Sequence, residues 1–167
     1  MLSVVSSFPN HQFVIAGAPS FNIDFYQEYL NGLKIPIVFN ATYDLLHNAQ
    51  AALVTSGTAT LETALFKVPE VVCYKGNEIS YQIAKRLVNI KYISLVNLIM
   101  DQEVVKELIQ HEMNVSNLGN ELSNILPGSS KREEQLQHYQ QLKEKLQAGG
   151  HASAKAAKAI VDFLQTK

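Results

Sequence analysis

Apolar positions along this chain fall in short runs, and their spacing alternates between strand-like and helix-like. Gln12–Ala16 is a strand candidate closed by Gly17-Ala18-Pro19. Asn22–Leu30 follows as a helix, with Ile23, Tyr26 and Leu30 at helical spacing and a stop near Asn31-Gly32. Ile35–Phe39 is the next strand, with Pro36 near its start, where no ladder donor is lost. Tyr43–Asn48 is a short helix that Asn40 or Thr42 can cap. Ala51–Thr55 is an apolar strand that runs through Ser56-Gly57-Thr58 into a helix, Thr58–Phe66. Leu61, Ala64 and Leu65 form the stripe of that helix, and Ser56 or Thr58 can cap its start. Val68-Pro69 stops it, and Val71-Val72-Cys73 is a buried strand. Strands thus recur roughly every twenty residues with helices between them. The expected fold class is α/β: a Rossmann-like, doubly wound parallel sheet with helices on both faces, plus C-terminal helices.

The second half reads differently. Ser80–Val88 is a helix with Ile83, Ala84 and Leu87 inward and Lys85-Arg86 outward, a solvated pair or a ligand contact. Lys91–Leu95 is a last short strand, and Val96–Gln102 an apolar loop. From Glu103 the pattern is helical throughout: Val104–Ile109, Val115–Leu126, Lys131–Gln147 and Ala152–Leu164, broken by Pro127-Gly128 and Gly149-Gly150. The third of these has a thin stripe (Leu136, Tyr139, Leu142, Leu146) on a polar helix, suited to lying across a surface or another chain. The last aligns Ala156, Ala157, Ile160 and Leu164. This divides the chain into a Rossmann-like domain, 1–110, and C-terminal helices, 111–167. Met1–Ser7 reads as the end of an amphipathic helix with no strand before it, an odd opening for a βαβ fold.

Composition narrows the function. A formal net charge of −1, with acids and bases interspersed, gives no basic field for nucleic acid. The single cysteine, Cys73, lies in an apolar strand and reads as a core residue, consistent with a reducing cytoplasm. No run is long enough to span a membrane, and Met1–Val4 lacks the basic start of a signal peptide. Asn40-Ala41-Thr42 and Asn114-Val115-Ser116 match the glycosylation triplet, which carries little meaning in a cytoplasmic protein. His11, His47, His111, His138 and His151 are scattered, so no metal is assigned and no cofactor is called for. Neither a Gly-x-Gly-x-x-Gly turn, a Gly-Lys-Ser phosphate loop nor a nucleophile elbow is present.

The candidate chemistry lies at Ser56-Gly57-Thr58-Ala59-Thr60. A helix opening directly from a strand presents free N–H groups and the positive end of its dipole, which suits a diphosphate. The glycine lets an anion approach, and the hydroxyls add donors. Glu62, a turn further on, is placed for a ribose diol rather than a phosphate. The alternative for the whole turn is close helix–strand packing. Gly17, Asn40, Ser56 and Tyr74 all fall at or just after strand ends, where ligands of such sheets bind. Asn97 is either a turn-stabilising amide or a ligand contact.

Ser56-Gly57-Thr58-Ala59-Thr60-Leu61-Glu62, then Pro69 with its apolar strand and Tyr74, then Tyr92-Ile93-Ser94-Leu95 with Asn97-Leu98, resemble in order and spacing the C-terminal half of the lipid-A-disaccharide synthase family. These are bacterial glycosyltransferases of two Rossmann-like domains (the GT-B fold). The first element occurs across sugar-nucleotide transferases; the Tyr-Ile-Ser-Leu-x-Asn-Leu element is far more selective.

The resemblance implies transfer of 2,3-diacylglucosamine from UDP to 2,3-diacylglucosamine 1-phosphate, making a β-1,6-linked precursor of lipid A and lipopolysaccharide. It implies a UDP-sugar site at Ser56, Gly57, Thr58, Ala59, Thr60, Glu62 and Asn97, with Tyr74 a weaker candidate. It also implies an enzyme that is cytoplasmic and peripheral to the inner membrane, and a homodimer through the C-terminal helices. The general base, the lipid acceptor site and most of the membrane contact belong to the family's N-terminal half, as does the domain's first strand with its Gly-Ser-Arg loop to the region before this chain. The chain is therefore expected to be a fragment, inactive alone. Family members often carry Arg where this chain has Gln102. Two alternatives stand beside this reading: part of an enzyme like UDP-N-acetylglucosamine 2-epimerase, and a noncatalytic α/β interaction module.

Overall fold

The computed structural model describes residues 1–77, 91–150 and 152–165. The predicted helix Ser80–Val88, with Lys85-Arg86, lies outside them. Among the described residues all strand pairing is parallel, in two groups. β1 (Ile15–Gly17) pairs with β2 (Ile37–Phe39), Ile15 opposite Ile37 and Gly17 opposite Phe39. β3 (Ala52–Thr55), β4 (Glu70–Tyr74) and β5 (Lys106–Ile109) form a three-stranded sheet in that order. Its register sets Thr55 opposite Cys73 and Cys73 opposite Leu108. The helices are α1 (Ile23–Leu30), α2 (Thr42–Asn48), α3 (Thr58–Leu65), α4 (Leu95–Met100), α5 (Val115–Asn124), α6 (Ser130–Ala148) and α7 (Ala152–Gln165).

β4 is central and apolar on both faces, so it is covered twice. Val71 and Cys73 pack with Val4, Phe8, Leu108, Leu118, Leu122 and Ile125, under the N-terminal turn and α5. Val72 packs on the other face with Ala64, Val96, Val104, Val105, Tyr139 and Leu142, under α3, α4 and α6. Each fully buried Val or Leu contributes about 1.5–3 kcal/mol to this arrangement. The first two C-terminal helices are therefore part of the domain's own core. α7 is different: every described side chain on it is exposed, Ile160, Phe163 and Leu164 by 60% or more.

The sequence expectations hold best where glycine and proline punctuate the chain. Asn22 caps α1 by accepting from the Phe25 amide, and Asn31 ends it in the left-handed conformation. Gly17 is required because a Cβ there would meet the Phe39 ring at 2.4 Å. α3 ends before Pro69, in a left-handed turn at Lys67 (φ 60°), with Lys67 N–H donating to Ala64 O and Val68 N–H to Thr63 O.

Five expectations are corrected. Residues Leu2–Ser7 form a 3-10 helix rather than the end of an α-helix. α2 has Ala41 at its N-cap with no side-chain cap, so neither Asn40 nor Thr42 serves; Asn40 instead takes a left-handed turn at φ 56°. The start of α3 likewise has Gly57 at the N-cap and no side-chain cap from Ser56 or Thr58. Lys91–Leu95 is not a strand, and the segment read as a loop contains helix α4, capped by Ser94. Val104–Ile109 is not a helix but leads into edge strand β5. The last two share a cause: buried side-chain bonds from Glu107 and Asn97 fix both segments, and such tertiary ties override local spacing.

Candidate functional site

The carboxyl ends of β3, β4 and β5 lie side by side through the register, so the turns that leave them share one edge. β3 leaves through Ser56 and Gly57 into α3. Gly57 has φ 145° and ψ −162°, a conformation that strains any residue with a Cβ. This kink lets the strand pass straight into a helix. Gly57, Thr58 and Ala59 are exposed, and no side chain caps the helix start. The first-turn amides and the positive end of the helix dipole therefore face outward, an arrangement competent to hold an anion.

Ser56 sits differently from expectation. Its hydroxyl donates to the Ile93 carbonyl at 2.8 Å, so its hydrogen is committed and is not available as a donor to a phosphate. Thr60 is fully buried, and its hydroxyl donates back to Gly57 O at 2.8 Å, fixing the turn from below. Glu62 is half-buried on α3. Tyr74 ends β4 with 41% exposure, its hydroxyl beside Gly76. Gln110, just past β5, clasps Gly76 from both sides, accepting from its N–H at 2.8 Å and donating to its carbonyl at 3.2 Å.

Asn97 is the clearest departure. It is fully buried, and all four hydrogen-bonding functions of its amide face protein. Its oxygen accepts from the Val104 and Val105 amides at 2.7 and 2.9 Å. Its nitrogen donates to Val105 O and to Glu107 Oε1, both at 2.8 Å. A contact from this side chain to a nucleotide sugar is ruled out in this geometry, because every donor and acceptor is already used. Asn97 is the turn-stabilising amide of the two readings.

The residue that sequence reasoning missed is Glu107. Its carboxyl is the hub of this corner, accepting from Ile93 N–H at 2.9 Å, Ser94 N–H at 2.9 Å, Ser94 Oγ–H at 2.8 Å and Asn97 Nδ2–H at 2.8 Å. The signal was available in part: a lone acid inside Val104–Ile109, an otherwise apolar run with one lysine, needs partners if that run is buried.

Two further buried groups lie elsewhere. Cys73 is 1% exposed, and burial pushes its thiol up to about 11, so it is a protonated core group and not a nucleophile. Glu70, at the other end of β4, is fully buried; burial raises its carboxyl well above the usual range, countered only in part by the Tyr139 hydroxyl. Among the described residues no cluster of three or more His, Cys, Asp or Glu side chains could hold a metal ion. No described helix is long and apolar enough to cross a membrane. A shallow groove of about 510 Å³ is lined by Leu65 at the end of α3 and by Lys143, Leu146, Gln147 and Gly150 at and just past the end of α6.

A parallel sheet flanked by helices, with a glycine-kinked strand-to-helix turn at its carboxyl edge, defines a Rossmann-like α/β protein. The comparisons take this further. The family model for lipid-A-disaccharide synthetase matches residues 2–161. The lipid-A-disaccharide synthase of Solibacter usitatus is 36% identical over 152 residues, covering 91% of this chain and 40% of that protein. That of Psychromonas ingrahamii is 36% identical over 167 residues, 96% of this chain and 42% of the relative. That of Actinobacillus pleuropneumoniae serotype 5b is 46% identical over 121 residues, 70% of this chain and 30% of the relative. The chain belongs to the lipid-A-disaccharide synthetase family, and it spans less than half the length of these relatives.

Proposed function

We propose that this chain is the UDP-sugar-binding part of a glycosyltransferase that moves 2,3-diacylglucosamine from UDP to the 6-hydroxyl of 2,3-diacylglucosamine 1-phosphate, in lipid A biosynthesis. Family membership supports the reaction class, and the open N-terminus of α3 at Gly57–Ala59 is the observation that carries the site. Departing UDP gains negative charge as the glycosidic bond breaks. Oriented amides in a helix N-terminus stabilise that charge without reorganising. In this reading Gly57, Thr58 and Ala59 hold the diphosphate, Glu62 accepts from the ribose hydroxyls, and Tyr74 borders the sugar. Ser56 and Thr60 shape the turn rather than touch the ligand.

The same proposal divides the chain into a nucleotide-sugar domain, 1–110, and C-terminal helices, 111–167, of which α5 and α6 pack on the domain. It assigns the general base, the lipid acceptor and peripheral contact with the inner membrane to protein outside this chain, and pairing of two enzymes to the C-terminal helices. Membership of the family favours this reading over an epimerase-like enzyme or a noncatalytic module. The test is twofold. The purified chain should be stabilised against heat by UDP more than by UMP, since the diphosphate carries the contact, and should show no transfer activity. Equal stabilisation by both nucleotides would remove the diphosphate site. Measurable transfer would place a complete catalytic centre within the chain.

A further inference from the structure

We infer that Glu107 is a positioning residue for the anion-binding turn, acting through the Ile93 peptide and the Ser56 hydroxyl. The inference rests on the reading of Gly57–Ala59 as the diphosphate site. Ile93 is bonded on both sides of its residue: its N–H donates to Glu107 Oε2 at 2.9 Å, and its carbonyl accepts the Ser56 hydroxyl at 2.8 Å. Ser56 immediately precedes Gly57. The strand-to-helix kink after β3 is thus tied across 37 residues of sequence to Ile93, and through Ile93 to a side chain on β5, at the opposite edge of the sheet. Glu107 also takes Ser94 N–H, Ser94 Oγ–H and Asn97 Nδ2–H, so the segment carrying Ile93 cannot slide without breaking several bonds at once. Glu107 is 8% exposed and Ser94 and Asn97 are fully buried, which shields these bonds from competing water. Nothing in this network touches the anion position, so its effect is to fix where the amides of Gly57, Thr58 and Ala59 point.

The test is a double-mutant cycle on the 167-residue chain, read by amide NMR with and without UDP. Glu107→Gln keeps the shape but turns an NH₂ toward donors that need an acceptor. Ser56→Ala cuts the last bond. Without nucleotide, both variants should move the Gly57, Thr58 and Ala59 amide signals in the same direction, while Val71 and Leu118 in the core stay put. With nucleotide, each should weaken UDP binding about three- to tenfold, and the double variant should be no weaker than the worse single one. If Glu107→Gln disturbs only residues 93–97 and leaves Gly57–Ala59 unmoved, or if the two losses multiply, the relay is wrong. Should Glu107→Gln fail to fold, Ser94→Ala removes one of its donors and leaves three; it should give the same displacement at smaller amplitude, and no displacement would overturn the relay. Absence of UDP binding to the unaltered chain would refute the diphosphate reading alone, since the nucleotide-free signals still decide whether Glu107 sets the turn.

Discussion

Two buried carboxyls in adjacent strands of one sheet lead opposite lives. Glu107 on β5 is met by four donors and holds the corner beside the glycine-kinked turn that opens α3. Glu70, at the start of β4, is just as buried but poorly satisfied. The Tyr139 hydroxyl lies 3.5 Å from Oε1, and Oε2 has no partner among the described residues. Around Glu70 it is the backbone that is well bound: Gln135 on α6 accepts from its N–H at 2.9 Å and donates to its carbonyl at 3.2 Å. Burial of a carboxyl is therefore not one condition. A site rich in donors makes an acid into a structural hub, whereas a site poor in them pushes its carboxyl toward the neutral form.

The sharpest way to break the contrast is to remove the hub. Glu107→Ala strands the half-buried N–H of Ile93, the buried N–H of Ser94 and one hydrogen of Asn97, and should destabilise the chain by about 3 kcal/mol or more in urea unfolding. The same truncation at Glu70 leaves its backbone clasp with Gln135 intact and should cost less. A second probe addresses the turn that Glu107 is argued to serve. Gly57→Ala meets no neighbour within 4 Å, so its cost is conformational, about 1–3 kcal/mol from the φ of 145°, with UDP binding reduced because the helix start must reorient.

The third probe is pH. Folding raises the Glu70 carboxyl above its unfolded value of 4.5, so the folded protein binds the proton more tightly. Its stabilising contribution is full below that unfolded value and is lost as pH rises toward the raised folded one. Across that window stability should fall by at most about 1.4 kcal/mol per pH unit from this group. Glu70→Gln should abolish that component of the slope, and an unchanged slope would assign the pH dependence to other groups.

The same contrast explains what could be read from the sequence. β1 to β4 were legible because each is a short apolar run, mostly rich in β-branched residues, closed by Gly, Pro or a polar turn. The turn at Ser56–Ala59 was legible because glycine between a strand and a helix is a local signal. β5 and α4 were not, because what fixes them is Glu107 and Asn97 bonding across 7 to 14 residues rather than any periodicity. The role of Ser56 was read as a ligand donor because its true partner, the Ile93 carbonyl, is 37 residues away. On α7 the apolar spacing of Ala156, Ala157, Ile160 and Leu164 predicted the helix, yet none of these side chains is covered within the chain. Periodicity reports that a face exists, not what it packs against.

The central claim is that the amides opening α3 hold the diphosphate of UDP. Residue-resolved amide NMR during a UDP titration tests it most directly. The expected result is saturating shifts centred on Gly57, Thr58 and Ala59, spreading to Glu62 and Tyr74 and abolished by Gly57→Ala. Saturating shifts elsewhere on the chain, with Gly57–Ala59 unmoved at millimolar UDP, would contradict it.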